Sequence, residues 1–171
     1  MKGTHKKVCL LLIVVLICSL SACSSESSDD NKVSKEAEKI IQAMMTCPNE
    51  NLYSSSSATV IGEGVGDEEV NAMEKKDDAD RISENWKKEV GDCFSEGAID
   101  DFLQKGLAQS YFAEAEKENV EIKVKEISLA GKEEYTETAN VTYLKGEQEE
   151  KATLLFTLNS DGLVTNVEPA G

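Results

Sequence analysis

Hydrophobic positions in the first half of the chain recur at the spacing of amphipathic helices. A first helix is predicted to begin at Ser34, a typical N-cap residue, and to end before Pro48. Its apolar residues fall at i, i+3, i+4 and i+7, which predicts one buried stripe: Ala37, Ile40, Ile41 and Met44. A longer helix is predicted from about 67 to 90, with a stripe at Ile82, Trp86 and Val90.

Turn residues separate these helices from each other and from a third helical pattern. Residues 48–66 hold too many turn-forming residues for regular structure, so they are predicted to be a loop. Gly91 is a candidate helix stop, and helical spacing resumes over 99–115, where Gly106 either kinks the helix or divides it.

From Val120 onward the hydrophobic period changes to two, which predicts β-strands. Val120, Ile122 and Val124 alternate, and Ile127 and Leu129 continue in the opposite phase, which indicates a bulge. Three further alternating segments follow, centred on Val141, Phe156 and Leu163 to Val167. The predicted turns are "AGKE", "KGEQ" and "NSDG", short enough to join antiparallel neighbours.

This order of elements predicts the α+β class: N-terminal helices packed on a four-stranded antiparallel meander, in one domain over 34–171. The order resembles the cone-shaped, cystatin-like roll shared by nuclear transport factor 2 and ketosteroid isomerase. The resemblance covers about 34–169 and rests on element order without a sequence motif. It implies a curved sheet whose concave interior is either filled by the helices or open to a ligand.

The first 22 residues have the pattern of a secretory signal peptide. Lys2, Lys6 and Lys7 form a basic start, and twelve of the thirteen residues from Val8 to Leu20 are apolar. A membrane-spanning helix needs about 20 apolar residues, so the run is predicted to be cleaved rather than to span.

The end of that run, Leu20-Ser21-Ala22-Cys23, closely resembles the lipobox of bacterial lipoproteins. The resemblance implies cleavage before Cys23, a diacylglycerol thioether on its sulfur, and a lipid-anchored protein on the extracytoplasmic face of the cell membrane. Two acyl chains give stable attachment, whereas one gives only marginal binding. The alternative is an ordinary signal peptide cleaved near Ala22. Residues 23–33 are predicted to be a disordered tether with a reach of about 17 Å.

Of the five cysteines, Cys9 and Cys18 lie in the predicted leader and Cys23 in the lipobox. Cys47 and Cys93 remain as an even pair in a chain predicted to be exported, which suggests a disulfide between them.

Charge and composition exclude several classes of function. The net charge is −15, and removal of a leader with three lysines and no acids would make it −18, which disfavours nucleic acid as a partner. The only histidine, His5, lies in the predicted leader, so histidine-dependent nucleophiles and histidine-ligated zinc are excluded from the mature chain. Arg81 is the only arginine, and no cofactor motif is present.

Two acidic patterns are predicted not to be metal sites. The cluster at Asp77, Asp78 and Asp80 alternates with lysines at helical spacing, which favours a solvated helix face. The segment "TLNSDGLVTNVE" (157–168) aligns in part with a calcium-binding loop, but its flanks alternate as strands, which favours a β-hairpin.

Two hypotheses of function remain. The first is a membrane-tethered, non-catalytic binding or adaptor module whose protein or cell-envelope partner is unknown. The second is a small-molecule binder, or a carboxylate-dependent enzyme, that uses the interior of the cone with Asp100 or Asp101 nearby. The residues predicted to line such a pocket are Tyr111, Tyr143, Trp86 and Phe102. An open cavity would favour the second hypothesis, and a filled core would favour the first.

Overall fold

The computed structural model describes residues 32–55 and 69–170, with side chains in the second range from residue 76. Within these residues four helices come first: α1 is Lys35–Met44, α2 is Glu69–Val90, α3 is Ala98–Gln104 and α4 is Leu107–Glu118. A short 3₁₀ turn, Gly91–Cys93, joins α2 to the segment before α3.

Four strands follow the helices: β1 is Ile122–Glu133, β2 is Thr136–Lys145, β3 is Gln148–Leu158 and β4 is Val164–Pro169. They form one antiparallel sheet in the order β1-β2-β3-β4. The predicted α+β class, with helices followed by a four-stranded meander, is therefore confirmed.

Strand β1 departs from the sequence prediction at its end. Its register against β2 shifts between Val124 and Glu126, as the change of phase predicts, and again between Leu129 and Gly131. The predicted turn at "AGKE" is wrong, because the strand continues to Glu133 and the chain reverses only at 134–135. The second irregularity accommodates Gly131 within the strand, which is a common role of glycine at a bulge.

The first helix begins where its sequence predicts. The Ser34 side chain accepts a hydrogen bond from the Ala37 amide at 3.1 Å, which satisfies one of the free amide groups of the first turn. Of the two alternatives at Gly106, a kink or a division, the structure has the division: Gly106 has a positive φ of 72° and lies between the short helix α3 and α4.

The helices cover one face of the sheet and form a single hydrophobic core with it. The core includes Ile40, Trp86, Phe102, Val141 and Phe156, as expected from the predicted stripes. Trp86 contacts Phe102 and Phe112 in edge-to-face geometry, with ring centroids 5.8 and 6.4 Å apart. Large aromatic side chains therefore fill the space between the helices and the sheet.

Candidate functional site

The four residues predicted to line a pocket inside the cone are parts of the core or its edge. Trp86 is fully buried and its indole N–H donates to the Leu52 carbonyl at 2.8 Å. Phe102 and Tyr143 are also buried, and Tyr111 packs partly buried against the core. None of these four side chains lines any of the three clefts described below.

Tyr111 and Tyr143 lie together but are not arranged as a catalytic pair. Their rings meet edge to face at 6.1 Å, and the Tyr143 hydroxyl donates to Glu150 Oε2 at 2.9 Å. Burial raises the pKa of both phenols, and the Glu150 carboxylate raises that of Tyr143 further. Asp100 and Asp101 are exposed, and Asp100 pairs with Lys87 at 2.7 Å.

A lysine beside these tyrosines joins α4 to the sheet. The Lys145 ammonium lies 2.6 Å from Glu114, 2.9 Å from Glu118 and 3.8 Å from Glu150. The hydrogen bonds to Glu114 and Glu118 raise the pKa of this lysine. An amine held in its charged form by three carboxylates does not act as a base at neutral pH, so the cluster is a structural tie.

The disulfide predicted between Cys47 and Cys93 is not formed: both are buried, free thiols. Cys93 lies beside the first half of α1, close enough for the charges of Lys39 and Glu36 to influence its pKa. Cys47 follows the other end of α1, where its backbone pairs with Ile122. A ten-residue helix is about 15 Å long, whereas the Cα atoms of a disulfide lie within about 7 Å.

The sequence prediction failed because it assumed that the ends of the two helices meet. Leu52, after α1, contacts Trp86 in the last turns of α2, while Asp92, after α2, pairs with Lys39 within α1 at 2.9 Å. Helix α2 therefore ends alongside α1 and not at its C-terminal end. An even number of cysteines carries no information about that geometry.

We expect Cys47 and Cys93 to be unreactive in the folded protein and to react without reduction once it unfolds. Burial raises the pKa of Cys47 to about 12 and that of Cys93 to about 11, so both stay protonated at pH 8. The measurement is alkylation of the full-length protein with and without denaturant, followed by mass spectrometry of the peptides that contain each cysteine. If the cysteines were labelled in denaturant only after prior reduction, they would be joined in a disulfide and the prediction of free thiols would be wrong.

The predicted acidic cluster forms a solvated surface, apart from one member. Asp77 and Asp80 are exposed, whereas Asp78 is partly buried and accepts hydrogen bonds from Arg81 and from the Ser54 hydroxyl at 3.0 and 3.2 Å. Within the described residues, no group of three histidine, cysteine or acidic side chains is arranged to hold a metal ion. The 159–162 segment is a turn between β3 and β4, as predicted.

One cleft lies outside the sheet, between the loop after α1 and the helices α2 and α4. Its volume is about 540 Å³, and it is lined by Tyr53, Glu50, Arg81, Phe112, Glu116 and Val120, among others. A second cleft of about 500 Å³ lies on the sheet around Gly131 and Thr138, and a third of about 220 Å³ lies between Val33 and Lys125.

Two residues that the sequence reading missed are prominent in the structure. Glu137 is fully buried and accepts hydrogen bonds from the backbone amide and the hydroxyl of Ser34. Its position was readable, because it has the same alternation phase as the inward residues Ala139, Val141 and Tyr143. Tyr53 lies in a loop without periodicity, and no sequence signal distinguishes it.

The predicted signal peptide, the lipobox with Cys23 and nearly all of the tether fall on residues 1–31, outside the described residues. Within the part of the chain that is described, no helix is long and apolar enough to cross a membrane.

Comparison with protein-family models, with curated proteins and with solved structures found no match to this chain. The resemblance to the cystatin-like roll therefore continues to rest on element order alone and stays a prediction.

Proposed function

We propose that this protein is a lipid-anchored, extracytoplasmic lipoprotein whose folded domain is a non-catalytic binding or adaptor module. The proposal of a lipid anchor rests on one observation: a basic start, a short apolar run and Leu20-Ser21-Ala22-Cys23 follow one another in the order and spacing of a lipoprotein signal peptide. Membrane attachment occurs through the acyl chains on Cys23. Nucleic acid is not a partner, because the chain carries a net charge of −15.

The packing of the core favours a binding module over an enzyme inside the cone. Trp86 and Phe156 are fully buried, and Phe102 and Phe112 are each only 2% exposed. These aromatic side chains occupy the space that a ligand inside the roll would need. The alternative is a small-molecule binder or carboxylate-dependent enzyme that uses the interior of the cone. None of the three described clefts lies in that interior.

The contact between Ser34 and Glu137 fixes the start of the folded domain, at the residue that follows the predicted tether. The Ser34 amide lies 3.2 and 3.1 Å from the two Glu137 carboxylate oxygens, and the Ser34 hydroxyl also donates to Oε1. A carboxylate at the N-terminus of a helix is favoured by the helix dipole and by the free amides there. The first residue of the predicted domain is thus hydrogen-bonded to the second strand of the sheet.

Replacing Cys23 with alanine is expected to abolish lipid anchoring, because the Cys23 sulfur is the only atom of the lipobox that can form the thioether. The measurement is membrane fractionation with detergent phase partitioning, together with the apparent mass of the product. The wild-type protein should partition into detergent in its cleaved form, and Cys23→Ala should be either released or uncleaved.

A matched control is Cys18→Ala, which removes a thiol from the predicted leader only five residues earlier. It should be cleaved and anchored like the wild-type protein. If Cys23→Ala were cleaved at the same position and still partitioned into detergent, the lipoprotein assignment would be wrong.

A further inference from the structure

The cleft between the α1–α2 loop, α2 and α4 has the size and the lining of a small-ligand site. Its volume of about 540 Å³ lies within the range of about 300–1,000 Å³ that ligand pockets usually have. It is distinct from the cone interior, and its described lining comes from three separate segments, 48–55, Arg81 and 112–121.

One wall of the cleft is apolar and held rigidly by the core. Tyr53 stacks on Phe112 with ring centroids 5.4 Å apart and an angle of 9° between the planes. Phe112 is also in edge contact with Trp86, and Ala115 and Val120 continue the apolar wall beside it. This wall suits the hydrocarbon part of a ligand.

Three of the four charged side chains in the described lining of the cleft are carboxylates, beside uncharged polar groups from asparagine, serine and tyrosine. Glu50, Glu116 and Glu121 line it, and the Tyr53 hydroxyl donates to Glu116 Oε2 at 3.1 Å. Burial and the neighbouring Glu116 charge raise the pKa of Tyr53 to about 12, so this hydroxyl stays a neutral donor at physiological pH.

The basic side chains near the cleft form ion pairs with neighbouring carboxylates. Arg81, the one basic residue in the described part of the lining, donates to Asp78 at 3.0 Å, and Lys123 pairs with Glu121 at 2.5 Å. Within the described residues, Glu50 and Glu116 have no ion pair with a lysine or arginine. The described lining therefore has more negative than positive charge, and this charge lies beside an apolar wall.

We propose that this cleft binds a small amphipathic organic cation, with its ammonium group near Glu50 and Glu116 and its hydrocarbon body against Tyr53, Ala115 and Val120. The complementarity is one of charge with the two carboxylates and of apolar surface with the aromatic wall. An anionic ligand is repelled by the same carboxylates, and a neutral one gains only the apolar contact.

The position of the cleft suits a tethered protein, and in this respect the inference deepens the proposed function. The predicted tether joins the domain at Ser34, before the first turn of α1, whereas the cleft begins at Pro48, beyond its last turn. The helix separates the two by about 15 Å. Ligand binding itself does not require the lipid, so the two proposals can fail separately.

The test compares three probes that share a hydrocarbon body and differ in charge: 4-phenylbutylamine, 4-phenylbutanol and 4-phenylbutyrate. Each is titrated into the detergent-solubilised full-length protein, with amide chemical shifts as the readout. We expect the amine to bind at least about threefold more tightly than the alcohol, with shifts centred on Tyr53, Ala115 and Val120. The butyrate should not bind, and added salt should weaken binding of the amine.

Matched variants distinguish binding of the amine in the cleft from non-specific attraction by the negative charge of the whole chain. Glu50→Gln and Glu116→Gln should each weaken amine binding by about twofold to fivefold. Glu89→Gln, an exposed acid on α2 outside the cleft lining, should leave it unchanged. Equal binding of amine and alcohol, shifts centred elsewhere, or no binding up to about 10 mM would overturn the proposal.

Discussion

Replacing Trp86 with alanine is expected to lower the free energy of unfolding by about 3–5 kcal/mol, the range for truncating a large buried aromatic residue. Trp86 has no exposed surface, packs against Phe102 and Phe112, and donates to the Leu52 carbonyl. Its loss leaves a cavity at the centre of the helical layer and removes the side-chain donor from that carbonyl. The measurement is urea denaturation followed by circular dichroism.

Two variants divide this effect into its parts. Trp86→Phe retains an aromatic ring but removes the indole donor, so it should cost less than Trp86→Ala. Tyr135→Ala truncates an aromatic residue that is 47% exposed, and should change stability by less than about 0.5 kcal/mol. A Trp86→Ala protein as stable as Tyr135→Ala would contradict the filled core on which the non-catalytic proposal rests.

Replacing Glu137 with alanine is expected to cost about 1–3 kcal/mol, because the amide and the hydroxyl of Ser34 both lose their acceptor. Glu137 is the only fully buried charged residue among the described side chains. The free energy of unfolding of Glu137→Ala, Ser34→Ala and the double variant forms a thermodynamic cycle. We expect the two single effects to be non-additive, since both substitutions remove the hydrogen bond between the Ser34 hydroxyl and the Glu137 carboxylate.

Glu147→Ala is the matched control, because Glu147 is exposed in the turn between β2 and β3. It should be close to neutral. Additive effects of Ser34→Ala and Glu137→Ala would contradict the contact between the Ser34 hydroxyl and the carboxylate, and a neutral Glu137→Ala would mean that the carboxylate does not hold the start of α1.

The fold could be predicted from the sequence because the hydrophobic periodicity and the turn residues indicate the same helices and strands. The helical stripe from Ala37 to Met44 and the alternation in β2 and β3 each specify which face is buried. The bulge in β1 was also readable, since the apolar phase reverses after Val124. The error at Gly131 arose because glycine permits both a turn and a bulge, and local sequence does not separate them.

The candidate site could not be predicted from the sequence in the same way, because it depends on contacts between distant parts of the chain. Tyr53 stacks on Phe112 although 58 residues lie between them in the sequence, and neither residue has a motif around it. The arrangement of Cys47 and Cys93 likewise depends on how α2 lies along α1. Sequence patterns identify buried faces, but they do not fix which buried faces meet.

The mass of the mature N-terminal peptide tests the central claim, that Cys23 anchors this domain, most directly. The protein would be extracted from membranes with detergent and digested, and its N-terminal peptide would be measured by mass spectrometry. The account predicts a peptide that begins at Cys23 and carries a diacylglyceryl thioether. A peptide that begins at another residue, or that has an unmodified Cys23 thiol, would contradict it.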